Sequence, residues 1–189
     1  PCLDNRRRLA NLTGALRRHL LFPLRSRPCM TTKTVAILLF PDVLMLDVAG
    51  PIEVFSVANR YLPESDHYRI VTLGAESLSV RASNGIVMQA DQLAVDAPVA
   101  YDTLLVPGGP GAYNERHPHL YGWLREAAQA SRRHGAVCTG AFILGEAGLL
   151  DGHRVTTHWH YLDRLAKRFP KAQLETDLLF TKDLSLIHI

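Results

Sequence analysis

The sequence has little cysteine, no long apolar run and no run of metal ligands. Three cysteines in 189 residues (Cys2, Cys29 and Cys138) are too few and too scattered for a disulfide scaffold or a zinc knuckle. This usage fits the reducing cytoplasm, and a cytoplasmic location is expected. No stretch of 18 apolar residues occurs, which excludes a membrane-spanning helix. The histidines are scattered without ligand spacing, so no metal is expected, and no cofactor. Internal repeats and low-complexity segments are absent too. What remains is ordinary globular composition, 47% apolar and 21% charged, at a length that suits one α/β domain.

The net charge of +3 is unevenly spread. Residues 1–29 hold seven arginines and one acid (Asp4), a surplus of +6, which leaves residues 30–189 at −3. A body of that sign offers no electrostatic footprint for nucleic acid. The basic stretch 9-LANLTGALRRHLLFPL-24 has the pattern of a short amphipathic helix, as in a transit peptide or a membrane-surface segment. It also reads as sequence upstream of a start at Met30, since a domain beginning there needs nothing from it. The leader 1–29 is therefore expected outside the fold, and no membrane partner is expected. Asn11-Leu12-Thr13 matches a glycosylation pattern by chance. At the other end, 184-LSLIHI-189 is set aside as an artefactual tail, leaving an incomplete domain over 30–183.

Between the ends, short apolar runs alternate with helical patterns. Thr34–Phe40, Tyr68–Leu73, Thr103–Val106 and Ala136–Cys138 read as strands, with shorter candidates at Val155–Thr157, Leu174 and Leu178–Thr181. Asn84-Gly85 joins Leu78–Ala82 to Ile86–Ala90 as a two-residue hairpin. Helices are expected from Pro51 to Tyr61, with Ile52, Val54, Phe55 and Ala58 apolar, and over His119–His134. Two more are expected from Thr139 to Leu150 and over His158–Phe169, where Trp159, Leu162, Leu165 and Phe169 share one stripe. Alternating strands and helices imply right-handed βαβ units and a mainly parallel sheet.

Cys138 is the most informative residue. In 136-AVCTGA-141 it falls between a strand and a small-residue helix start, the position of a nucleophile elbow. A thiol there is reactive or ligand-facing; elsewhere a lone buried cysteine is an inert small hydrophobe. The turn 107-PGGPG-111 follows another strand's carboxyl end, where open α/β sheets bind ligands, though a tight turn would read the same way. Amides at Gly108 or Gly109 with that of Thr139 make a candidate oxyanion or ligand-binding group. It is no Walker loop, for it lacks the Gly-Lys-Ser/Thr ending. Asp47, just after the first strand, is the candidate carboxyl partner of Cys138, or else a helix-start acid. His158 and His160 do not share a helix face; they read as a cap and a surface residue rather than metal ligands.

Taken together, 40-FPDVLMLDVAGPIEVF-55, 103-TLLVPGGPGA-112, 136-AVCTGAFILGEAGLLDGHRVTTHW-159 and 162-LDRLAKRFP-170 resemble the ThiJ/PfpI family over about Lys33–Lys182. The resemblance implies a class I glutamine amidotransferase-like fold, a three-layer sandwich around a flavodoxin-like sheet, here truncated at its C-terminus. Within the family, GAFILGEAGLLDG, VTTHW and LAKRFP look most like the N-terminal domain of GlxA-type regulators of the AraC class. That implies a domain that senses a small molecule and forms a homodimer, with DNA bound only by a C-terminal helix-turn-helix region absent from this sequence. The alternative is a stand-alone enzyme similar to isonitrile hydratases, with Cys138 as nucleophile, Asp47 as proton carrier and Thr139 beside them. A redox-sensing member with an oxidisable Cys138 is a third reading. Peptidase branches place histidine after the cysteine, where this sequence has Thr139, and no later His-x-Glu pair of glutaminases is visible.

Overall fold

The structure is a computed structural model that describes residues 33–188. The expected basic leader lies outside the described residues. The chain runs through β1 (Lys33–Leu39), α1 (Met45–Asn59), β2 (Tyr68–Gly74), β3 (Ser79–Arg81), β4 (Val87–Gln89), β5 (Gln92–Leu93) and β6 (Thr103–Val106). It continues through α2 (Pro110–Asn114), α3 (Pro118–Ala130), β7 (Arg133–Ala136), α4 (Ala141–Glu146) and β8 (Arg154–Val155). Then come α5 (Leu162–Arg168), β9 (Gln173–Leu174), β10 (Thr181–Asp183) and β11 (Leu186–His188).

Seven strands form the central sheet in the order β10-β11-β7-β6-β1-β2-β5. All its ladders are parallel except β10–β11. The inner strand β1 has no polar position between Val35 and Leu39, and all five side chains are fully buried. That is the sequence signature of a strand covered on both faces. α3 buries Leu120, Trp123, Leu124, Ala127 and Ala128, a single stripe at helical spacing. The β1–α1–β2 unit steps to one side of the sheet and β6–α3–β7 to the other. With right-handed crossovers, α1 and α3 fall on opposite faces, so the sheet is the middle of three layers. Between β1 and β6 the winding reverses, and a crevice opens at the strands' carboxyl ends. Three loops meet there: 40–44 after β1, 107–109 after β6 and 137–140 after β7.

The expected hairpin forms, with β3 and β4 antiparallel and Gly85 at φ 87° in its turn. Other elements depart from expectation for identifiable reasons. The first helix begins at Met45 rather than Pro51, because Leu44 donates its amide to the Gly108 carbonyl (2.8 Å) and Asp47 to Leu44 (3.0 Å), starting the turn early. Pro51 therefore sits inside α1, where it has no N–H to offer the Asp47 carbonyl. Val54, expected in the core, is exposed. The second expected helix ends at Ala130 instead of His134. Arg132 binds Asp102 through both carboxylate oxygens (2.6 and 2.9 Å), and this long-range tie draws the chain into β7. The expected helix over 139–150 is cut to α4 at Ala141–Glu146. Trp159 leaves its expected stripe because residues 159–161 form a 3-10 turn and α5 starts only at Leu162. Leu178, Leu179 and Phe180 are exposed, and the strand there starts at Thr181.

Residues 184–189 were set apart from the fold on sequence, yet Leu186–His188 forms β11 beside β7. Leu186 and His188 are buried, and His134 donates its amide to Ser185 (2.9 Å). The physical reason is the β7 edge, whose backbone groups need partners; an apolar alternating segment supplies them.

Candidate functional site

Cys138 lies at the carboxyl end of β7, in a 3-10 turn running into α4. Its φ of 55° is left-handed, a strained value for a residue with a side chain, and such strain concentrates at functional sites. Neighbouring contacts enforce it. Val137 donates its amide to Val106 (2.9 Å), Gly140 to Val137 (3.0 Å), and the Thr157 hydroxyl to the Cys138 carbonyl (2.8 Å). A side chain on Gly140 would meet the Val106 carbonyl oxygen at 2.1 Å, so only glycine lets the turn approach β6 this closely.

The structure brings Asp47 to Cys138. From the first turn of α1, Asp47 accepts hydrogen bonds from the Gly108 amide (3.0 Å) and from the Cys138 thiol. Thr139 is buried, and its hydroxyl oxygen accepts the Gly109 amide (2.9 Å). All five residues singled out in the sequence, Asp47, Gly108, Gly109, Cys138 and Thr139, thus meet at one place. They do not meet as an open oxyanion hole, for the amides of Gly108 and Gly109 are already donated to Asp47 and Thr139. The Thr139 amide and hydroxyl are the donors directed at the sulfur.

The electrostatics hold the thiol neutral. Burial pushes the Cys138 thiol up, and the Asp47 charge adds to the shift; the Thr139 amide and hydroxyl offset only part of it. Asp47 is raised as well, chiefly by burial, against the Gly108 amide, the Cys138 hydrogen bond and nearby His158. Among the described residues, no histidine or lysine hydrogen-bonds the sulfur to take its proton. Tyr113 and Tyr161 join their hydroxyls (2.8 Å) close by; that bond and burial push Tyr113 up to about 12.

A cavity of about 470 Å³ opens onto the thiol, lined by Asp47, Cys138, Thr157, His158, Trp159 and Asp177 among others. His158 caps the 3-10 turn, its Nδ1 accepting the His160 amide (3.2 Å), and also lines this cavity; His160 does not. The sequence reading missed Tyr113, Thr157, Trp159 and Asp177 as site residues. The segment around His158 carried a visible signal; Asp177 and Tyr113 carried none, since only the fold brings them close. Among the described residues, no three His, Cys, Asp or Glu side chains converge as a metal site, and no helix is long and apolar enough to cross a membrane.

The family described as DJ-1/PfpI matches residues 33–181. A protein from the cpoL 5′ region of Streptomyces lividans is 44% identical over 139 residues, covering 72% of this chain and 94% of the other. The HTH-type transcriptional regulator GbdR of Pseudomonas aeruginosa is 33% identical over 146 residues, 77% of this chain and 39% of the regulator. The isonitrile hydratase of Pseudomonas putida is 35% identical over 132 residues, 69% of this chain and 54% of that enzyme. The chain thus spans about two fifths of a regulator such as GbdR. In fold, an AraC family transcriptional regulator from Pseudomonas putida superposes with a TM-score of 0.70 at 24% identity, over 82% of each chain.

Proposed function

The chain belongs to the DJ-1/PfpI family, and from that premise we propose that it is the small-molecule-sensing domain of an AraC-type transcriptional regulator. The carrying observation is the state of the elbow. Cys138 is a neutral thiol on a carboxylate, with no histidine or lysine hydrogen-bonded to its sulfur among the described residues, and it faces an open cavity. A nucleophile needs the thiolate. A ligand-reading surface needs only a shaped hollow with a few fixed polar groups, and that is what surrounds Cys138. The regulator relatives, of which GbdR is one, support the same reading. In this reading the domain works as a cytoplasmic homodimer, and DNA is read by a helix-turn-helix region outside residues 33–181.

The test pairs binding with turnover. Calorimetry against a panel of small amines, acids and alcohols is expected to find a ligand that Cys138→Ala still binds. No conversion of an alkyl isonitrile to its formamide is expected. Cys138-dependent formamide production would overturn the sensing role.

One observation favours a second reading, the match to the isonitrile hydratase together with the Asp47–Cys138 hydrogen bond. In that reaction Asp47 takes the thiol proton as sulfur adds to the isonitrile carbon, and returns it to that carbon. Water then displaces the sulfur, giving the N-substituted formamide and the free thiol. Loss of turnover in both Cys138→Ala and Asp47→Asn is the outcome this reading requires.

A further inference from the structure

The charge on the cavity walls narrows its ligand. Asp47 and Asp177 both line it, and no lysine or arginine does. Opposite in character is an aliphatic wall that includes Leu44, Leu162, Leu178 and Leu179. Trp159 also lines the cavity, yet 75% of its surface is open. The His158 ring stacks on one face of the indole (centroids 5.4 Å, 29°); an indole of that size is normally turned inward, so its exposure here leaves the other face available to a bound molecule. An anion entering this cavity would lose its hydration and meet two carboxylates, with His158 the one titratable nitrogen among the lining residues. An uncharged ligand would use the leucines and leave the carboxylates without compensation. A cation satisfies all three features: carboxylates offset its charge, the indole face attracts it, and the leucines take its carbon skeleton. Asp47 accepts only two hydrogen bonds at Cys138 and Gly108, so its carboxylate keeps acceptor capacity.

We propose, resting on the sensing role above, that this cavity takes a small organic cation. The ligand is an ammonium compound with an apolar body, its charge toward Asp47, Asp177 and the Trp159 indole, its body on the leucine wall.

Three probes of like shape and different charge test this on the full chain by calorimetry: 3,3-dimethylbutylammonium, 3,3-dimethylbutan-1-ol and 3,3-dimethylbutyrate. The cation is expected to bind at least about tenfold more tightly than the alcohol, and the acid not at all. Asp177→Asn and Trp159→Ala are each expected to weaken the cation about three- to tenfold. Both side chains are exposed, so the melting temperature should stay unchanged. Added salt should weaken the cation alone. Equal binding of alcohol and cation, binding of the acid instead, or no binding of the cation at millimolar concentration overturns the proposal. Binding of the acid or alcohol removes the cation class and leaves the sensing role standing. Cys138-dependent isonitrile hydration removes the sensing role whichever probe binds.

Discussion

Acidification should destabilise this domain through a histidine pair on adjacent strands of the sheet. His134 on β7 and His188 on β11 are 8% and 1% exposed. Burial, with the charge of neighbouring histidines, lowers each imidazole from 6.5 to about 4. The sign follows from proton uptake. Between these values the unfolded chain binds a proton that the folded chain refuses, so the stability present above pH 6.5 is lost as pH falls toward 4. From pH 7.5 to pH 5 the loss is about 2 kcal/mol per histidine, or about 4 kcal/mol for the two. A domain of this size holds about 5–15 kcal/mol in all, so the effect is large. Carboxylates do not obscure it. Asp102 and Asp183, both lowered by their partners, act below this window, and raised Asp47 opposes the loss slightly. Urea unfolding followed by tryptophan fluorescence at the two pH values measures it. His134→Gln should cut the pH-dependent loss by about half, whatever it does to stability at pH 7.5. Removing residues 184–189 should shrink it further, because His188 goes and His134 regains water. A His134→Gln protein with the full loss at pH 5 would refute the reasoning.

The elbow supplies the remaining expectations. Gly140→Ala places a methyl against backbone oxygens of Val106 and Pro107, at 2.1 and 2.6 Å, and neither can yield as a side chain would. A loss of about 2–4 kcal/mol in chemical unfolding is expected. Gly122→Ala is the contrasting case: it lies in α3 with nothing within 4 Å of the added carbon, and should gain up to about 1 kcal/mol. Thr139→Val strands the buried Gly109 amide at a cost of about 1–3 kcal/mol, and Thr139→Ser should recover most of it. Iodoacetamide should label Cys138 slowly at pH 7, and faster in Asp47→Asn, where the charge that raises the thiol is gone. Unchanged labelling in that variant would mean burial alone holds the proton on sulfur.

What was legible in the sequence was local. β1 and β6 announce themselves because strands buried on both faces carry unbroken apolar runs, Val35–Leu39 and Leu104–Val106, and the elbow because a strand, a cysteine and small residues adjoin in the chain. What was illegible depends on partners far away in sequence. α3 stops at Ala130 because Arg132 reaches Asp102, thirty residues back. α1 starts before Pro51 because Leu44 finds the Gly108 carbonyl across the crevice. Trp159 looked like core because it keeps helical spacing with Leu162 and Leu165, but spacing places a side chain on a face only once a helix has begun. The same distinction governs the site. Position 138 can be assigned from its neighbours, whereas the thiol's protonation cannot, since it depends on Asp47 at the start of a different helix. The elbow geometry alone, with its helix start beyond the sulfur, favours a thiolate. The carboxylate and the burial that the fold adds reverse that preference. An elbow is thus evidence of where a ligand meets the sheet, and the groups that converge on it determine whether chemistry follows.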